Sequence, residues 1–115
     1  VPVVSVDSFM ERSNLQKISF IKIDVQGYEL AVCEGMTQTL AKFPKLSVVC
    51  EYAPEGLVEM GFDPIQLLDF FKSKGYQIHI LSRSSITLPR DNATIHRLAT
   101  EDGYANLLCA QTSLV

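Results

Sequence analysis

The sequence predicts an α/β fold in which helices pack on a mostly parallel β-sheet. Strand-like and helix-like stretches follow one another in the order strand, helix, strand, helix, strand, strand. Such alternation is typical of parallel strands joined by helical crossovers. The 115 residues suffice for one domain, and a hydrophobic content of 47% supports a packed core. We therefore expect residues 1–115 to form a single α/β domain.

The N-terminal third contains the most strand-like run of the chain. Residues 2–6 are predicted to be an extended lead-in, and a short helix over residues 9–12 follows, with Asp7 or Ser8 as its N-cap. Residues 18–25 are nearly continuous in apolar character, which is typical of a strand covered on both faces.

The next stretch is helical in pattern. Within residues 28–43, apolar side chains recur at spacings of three and four at Val32, Met36, Leu40 and Phe43. Gly35 weakens this helix, so two short helices are the alternative. Residues 46–50 are then predicted to be the second strand.

A loop, a helix and two strands are predicted for the remaining chain. Residues 53–62 contain a proline and two glycines and are interpreted as a loop, and a helix begins at Asp63 and Pro64. The last predicted elements are a third strand over residues 76–81, a polar loop over residues 82–94 and a final strand over residues 104–111.

Composition and charge exclude several partners. The net charge is −3 and no basic run is present, which argues against nucleic acid. The apolar stretches are far shorter than a membrane span, and the N-terminus lacks the pattern of a signal peptide. Cys33, Cys50 and Cys109 are widely spaced among apolar neighbours, so we expect buried free thiols in a reducing, cytoplasmic setting. His79 and His96 are expected to be structural.

Two predicted strands end on acidic residues. Asp24 ends the first strong strand and Glu51 ends the next. Ligands of open α/β sheets bind outside the carboxyl ends of the strands, where neighbouring strands would hold these carboxylates about 5–10 Å apart. That spacing suits a cation, a hydroxyl group or a positively charged cofactor centre. Gly27 allows a sharp turn or a close approach of the backbone to a ligand.

Ordinary structural roles are the alternative for the same residues. Asp24 is alternatively the cap of the following helix, and Glu29 suits a first helical turn without any function. Glu51 is alternatively an exposed strand end. A third interpretation, ranked below the others, has Asp24 and Glu51 hold Mg²⁺ in a metal-assisted transferase.

The stretch FIKIDVQGYELAVCEGM resembles the FkbM-type methyltransferases. The matching residues are Ile21, Lys22, Ile23, Asp24, Val25, Gly27, Glu29 and Gly35. The chain departs from the pattern at Gln26, where the family usually has glutamate. The segment SVDSF, the strand ending at Glu51 and the final NLLCAQ are also similar to the family.

The resemblance implies the C-terminal half of a Rossmann-like methyltransferase fold. The four predicted strands would be the fourth, fifth, sixth and seventh, with the seventh antiparallel and inserted between the fifth and sixth. The chain has no G-x-G-x-G turn after a strand. We therefore expect the N-terminal cofactor-binding strands to be missing from it.

The implied activity is that of an S-adenosylmethionine-dependent O-methyltransferase acting on a hydroxyl of a small molecule or sugar. In this interpretation Asp24 and Glu51 are catalytic, and Asp24, Gly27 and Glu29 bind the cofactor. No metal is required. The acceptor pocket would use the loops at residues 53–62 and 82–94, and this chain would be inactive alone.

The alternative function is a non-catalytic α/β binding or assembly module. The strand at residues 18–25 would leave an open apolar edge, and unpaired edges recruit other strands. We therefore expect a homodimer formed through this edge, or a chain that is part of something longer.

Overall fold

The computed structural model describes residues 4–112. These residues form a five-stranded mixed β-sheet with helices packed against it. The strands are β1 (Phe20–Ile23), β2 (Ser47–Tyr52), β3 (Gln77–Leu81), β4 (Ile86–Thr87) and β5 (Ala105–Ala110), in the spatial order β1-β2-β5-β3-β4. The helices are α1 (Val6–Arg12), α2 (Glu29–Glu34), α3 (Thr37–Lys42), α4 (Pro54–Glu59), α5 (Pro64–Ser73) and α6 (Asn92–Asp102).

The expectation of a mostly parallel sheet is wrong. Within residues 4–112, β1 and β2 form the one parallel pair. The last strand, β5, lies between β2 and β3 and runs antiparallel to both. It thereby separates two strands that would otherwise pair in parallel. The insertion of an antiparallel last strand at this position is as the family resemblance implied.

The hydrophobic core lies against one face of the sheet. Alternate residues of β2 (Val48, Cys50 and Tyr52) are fully buried, as expected for the period-two alternation of a strand. α5 packs against β3, and α6 packs against β5. The intervening residues of β2 are only half-buried, so the opposite face is more open.

The predicted helix over residues 28–43 is two helices. It breaks between α2 and α3 at Gly35 and Met36, which is the alternative that Gly35 suggested. The break exposes the first N–H groups of α3, and Asp7 accepts hydrogen bonds from Gln38 N at 3.0 Å and from Thr39 N at 2.8 Å. Asp7 therefore caps α3 from a distance.

The first helix begins earlier than predicted. It starts at Val6 and is capped by Ser5, whose hydroxyl accepts the N–H of Ser8 at 3.1 Å. The expected caps Asp7 and Ser8 are wrong, because both lie inside the first turn. Residues 2 and 3 of the predicted lead-in lie outside the described residues.

Two helices replace predicted loops. α4 occupies most of the 53–62 loop, and α6 begins within the 82–94 loop. Asp91 caps α6 through Thr94 N at 2.8 Å, and Gly103 ends it with a φ of 89°. Asp91 and Gly103 are ordinary signals for the start and the end of a helix. The polar composition of the segment nevertheless favoured the prediction of a loop.

The three cysteines are free and fully buried, as expected from their apolar neighbours. Burial raises the pKa of Cys33 to about 12, with smaller contributions from Glu29 and Glu34. Burial likewise raises the pKa of Cys50 and Cys109. Among residues 4–112, no helix has the length and apolar character needed to cross a bilayer.

Candidate active site at the ends of the first two strands

The turn that follows β1 is held by Glu29. The Glu29 carboxylate is 3% exposed and accepts hydrogen bonds from Val25 N at 3.1 Å and from Gly27 N at 2.9 Å. Its two oxygens thus each satisfy one backbone donor of the turn. Because this arrangement occupies both carboxylate oxygens, Glu29 shapes the site by fixing the backbone around it.

Gly27 is required by a contact with α4. Its φ is 102°, and a β-carbon built there would lie 2.6 Å from the carbonyl oxygen of Gly56 and 2.8 Å from Cγ of Met60. The close backbone approach that the sequence suggested is therefore made to the protein itself. The turn therefore packs directly against α4, and this contact fixes the position of the turn at the edge of the sheet.

Asp24 faces outwards at the end of β1. It is exposed, and its Oδ1 accepts a hydrogen bond from Nε2 of Gln26 at 3.2 Å. The N-cap position of α2 is Tyr28, so Asp24 does not cap that helix. Gln26 has a φ of 51°, a left-handed conformation that few side chains adopt. The turn thereby places an amide beside the carboxylate, where glutamate would repel it.

Glu51 lies at the end of β2 and is half-buried. Burial raises the pKa of this carboxyl, and the negative charges of Asp24 and Glu29 raise it further, whereas Lys22 opposes them. The structure therefore brings the two predicted catalytic carboxylates, Asp24 and Glu51, close enough to interact electrostatically. We call this pair the acidic cluster. A carboxylate with a raised pKa is better suited to accept a proton at neutral pH than an ordinary one.

A metal cluster is absent from this part of the chain. Within residues 4–112 no group of three or more histidine, cysteine, aspartate or glutamate side chains is arranged to hold a metal ion. Asp24 and Glu51 thus have no third ligand of these types among the described residues.

Sequence reasoning missed one hydrogen-bonded pair close to this edge. The hydroxyl of Tyr52 and Nδ1 of His96 are 2.6 Å apart, and Tyr52 is fully buried. Burial raises the pKa of Tyr52, and the nearby charge of Asp63 adds to the effect. The pair joins β2 to α6. His96 thus has a structural contact, as expected, and its partner lies 44 positions away in sequence, where no local pattern reveals it.

The apolar residues in and beside the 53–62 loop lie partly in the core and partly on the surface. Tyr52 belongs to the core, whereas Met60 is 44% exposed beside Gly27. Phe62 is half-buried and contacts Tyr28 edge-on, with ring centroids 6.2 Å apart. Met60 and Tyr28 therefore supply exposed apolar surface next to the acidic cluster.

A groove lies on the same edge of the sheet, and we call it the edge groove. Its volume is about 820 Å³. Its lining comprises Lys22, Val49, Ile80, Leu81, Ser82, Arg83, Leu98, Asp102, Tyr104, Ala105 and Asn106. Asn106 is the cross-strand partner of Glu51, so the groove borders the acidic cluster.

Comparison with known proteins identifies one family. A sequence profile described as the methyltransferase FkbM domain matches residues 1–78. The matched range contains β1, β2 and both carboxylates of the acidic cluster. Comparisons with curated proteins and with solved structures found no match.

Proposed function

The chain belongs to the methyltransferase family defined by the FkbM domain, and on this premise we propose that it serves S-adenosylmethionine-dependent O-methylation of a small hydroxylated molecule or sugar. The observation that carries the proposal is the half-buried Glu51 carboxyl, whose pKa is raised by burial and by Asp24 at the end of the neighbouring parallel strand. This pair lies where α/β sheets bind their ligands.

Glu51 is proposed as the general base. Methylation of a hydroxyl would form an oxygen–carbon bond while the sulfur–methyl bond of the donor breaks and S-adenosylhomocysteine leaves, and the hydroxyl proton would pass to Glu51. A positioned base of suitable pKa typically accelerates such a step by about 10²- to 10⁴-fold. Asp24, oriented by the Gln26 amide, is proposed to accept a hydrogen bond from the acceptor and fix its position.

The described residues do not by themselves fit the cofactor. Of the three residues expected to bind it, Glu29 has both oxygens committed to the turn, and Gly27 faces the backbone of Gly56. Asp24 alone presents a free carboxylate oxygen. We therefore propose that the methyl donor is held by residues beyond those described, in a second copy or elsewhere in a longer chain, and assign this chain the acceptor side only.

Transfer of a radioactive methyl group from S-adenosylmethionine to a panel of sugars and small alcohols tests the proposal. The assembly that contains the donor-binding residues, whether a dimer of this chain or the longer chain, should label at least one acceptor, and Glu51→Gln should lower the rate by about 100-fold or more. Glu55→Gln is the matched control, because Glu55 is an exposed glutamate on α4.

Two results would contradict this function. Full activity in Glu51→Gln would remove Glu51 as the base. Absence of labelling by the assembly that contains the donor-binding residues, together with absence of S-adenosylhomocysteine binding to it by calorimetry, would overturn the proposed methyl transfer.

An assembly module is the second candidate, and the free edge of β1 favours it. Among the described residues β1 pairs only with β2, and Phe20 on this strand is 55% exposed. We propose that two copies pair through β1, in an isologous dimer. Light scattering should then give twice the monomer mass of 12.8 kDa. Lys22→Pro, which removes one strand donor, should give a monomer, and a wild-type monomer would exclude this mode.

A cytoplasmic location completes the proposal. Three buried free thiols fit a reducing compartment. Fractionation of cells that express the tagged protein should recover it with cytoplasmic markers, and recovery with a secreted or membrane fraction would contradict the location.

A further inference from the structure

The edge groove has a charge opposite to that of the chain. Its lining contains Lys22 and Arg83 against the single carboxylate of Asp102, which gives 2 − 1 = +1, whereas the chain carries −3. The remaining polar lining is neutral. A local excess of positive charge in a concave site attracts anionic ligands.

Neither cation forms a salt bridge among the described residues, although the charge of Lys22 partly offsets the raised pKa of Glu51. Within residues 4–112 the structure contains no ion pair to Lys22 or Arg83, and the exposed pair of Arg97 and Glu101 is the salt bridge it does contain. Both side chains are exposed. An arginine without a protein partner keeps its planar guanidinium available for two parallel hydrogen bonds to a carboxylate or phosphate.

The position of Arg83 relates the groove to the acidic cluster. Glu51 pairs with Asn106 across β2 and β5, and Asn106 pairs with Leu81 across β5 and β3. Glu51 and Leu81 are therefore two strand spacings apart, or about 10 Å. Arg83 follows two residues after Leu81. A ligand about the size of one sugar ring with its substituent spans this distance.

Tyr104 supplies a surface between these charges. It lines the groove, is 50% exposed and lies beside the start of β5. Exposed tyrosine rings pack against the apolar faces of ligand rings and donate a hydrogen bond from the hydroxyl. Asn106 adds an amide donor and acceptor on the same side of the sheet.

We propose that the edge groove selects acceptors that carry an anionic group, with Arg83 as the residue that binds this group while the hydroxyl to be methylated lies at Glu51. This inference rests on the proposed function and names its substrate class: hydroxylated molecules, such as acidic sugars, with a carboxylate or phosphate on the ring or its substituent. Lys22 strengthens the attraction from the β1 side of the groove.

Three sugars that share one ring test the proposal by binding alone. Glucuronate, glucose 6-phosphate and glucose are titrated separately into the ¹⁵N-labelled chain, and amide shifts are followed by NMR. The anionic sugars should shift the amides of Ser82, Arg83 and Asn106 and bind at least 10-fold more tightly than glucose. The preference between carboxylate and phosphate identifies the source of the anionic group.

Arg83→Gln should reduce binding of the anionic sugars to the level of glucose. The control is Arg90→Gln, because Arg90 lies with Lys72 in a separate crevice of about 380 Å³ at the start of β3. This variant should bind like the wild type. The NMR spectrum itself verifies that each variant is folded.

Equal binding of charged and neutral sugars would overturn the proposal, as would shifts that appear equally around Arg90. Because the titration needs no methyl donor, its failure is distinct from failure of methyl transfer. Groove binding without methylation would contradict the proposed function and leave the anion site standing.

Discussion

The Glu29 carboxylate lies 2.9 Å from the backbone nitrogen of Gly27 and accepts its hydrogen. This contact shows that the residues of the acid-glycine-acid pattern have two different roles in the turn. Gly27 and Glu29 shape the backbone of the turn, whereas the Asp24 side chain remains exposed. The backbone of the turn is therefore held by its own side chain, and the Asp24 carboxylate is left free of that role.

Replacing Glu29 with glutamine should destabilise the chain. The glutamine side chain has one acceptor oxygen, so one of the two backbone donors of the turn loses its partner while buried. We expect a loss of about 1–3 kcal/mol in the free energy of unfolding, measured with urea. Glu34→Gln, an exposed change on the same helix, should change it by less than about 0.5 kcal/mol. Equal losses of unfolding free energy in the two variants would show that the two hydrogen bonds of the Glu29 carboxylate do not stabilise the fold.

Gly27→Ala should cost more than Gly61→Ala. Both glycines have positive φ values, 102° and 87°, so both variants bear the backbone strain of about 1–2 kcal/mol. Only at Gly27 does the new methyl group meet backbone, at 2.6 Å from the Gly56 oxygen. Chemical denaturation should show an additional loss of about 1–3 kcal/mol for Gly27→Ala. Similar losses would mean that the turn moves freely away from α4.

Glu51→Gln should stabilise the chain at neutral pH although it removes the proposed base. The folded-state pKa of Glu51 lies above its usual value of 4.5, so the stability linked to this carboxyl is complete below pH 4.5 and declines as the pH rises through the folded-state pKa. Glutamine is neutral at every pH and avoids that decline. The gain should be below about 1 kcal/mol, because the group is partly solvated.

The comparison is made by thermal melting at pH 4 and pH 7. Glu51→Gln should match the wild type at the lower pH and exceed it at the higher one. A variant less stable than the wild type at pH 7 would show that the Glu51 charge is favourable in the fold.

Asp7→Ala should destabilise the chain at neutral pH through loss of the α3 cap. Burial alone would raise the pKa of Asp7, but hydrogen bonds from the Thr39 hydroxyl, Thr39 N and Gln38 N outweigh it and lower the pKa below 3.8. The stability from this carboxylate is therefore present above pH 3.8 and is lost as the pH falls through the folded-state pKa.

We expect a loss of about 0.5–2 kcal/mol at pH 7, shrinking towards zero in strong acid. Urea unfolding across this pH range measures it, with Glu11→Ala on the exposed side of α1 as the control. A loss that stays constant in acid would assign the effect to packing.

Four of the five described strands were predictable because their signal is local, whereas β4 lies within the predicted polar loop over residues 82–94 and was missed. Apolar runs predicted β1, β2, β3 and β5 with boundaries that differ by one or two residues from the structure. Sequence could not reveal the pairing of β2 with β5, since the hydrogen bonds that select it join residues more than 50 positions apart. The family resemblance supplied that placement, and composition alone favoured the wrong, parallel arrangement.

The helices and the turn show where local patterns fail. α4 begins at Pro54 and contains Gly56, a composition interpreted as a loop, yet Leu57 anchors the helix in the core with no exposed surface. Tertiary burial thus outweighed poor helix propensity. The acids Asp24 and Glu51 were found because both end strands. A hydrogen bond from nearby backbone to Glu29 could be suggested from the sequence, but the two donors it accepts from depend on the folded path of the turn.

The reactivity of the three buried thiols can report how often parts of the core open. Their raised pKa values leave almost no thiolate at neutral pH, and the surrounding side chains exclude an alkylating reagent. Each sits on a different element, Cys33 on α2, Cys50 on β2 and Cys109 on β5. The rate at which iodoacetamide modifies each one, resolved by mass spectrometry, therefore times how often that element opens in the native protein.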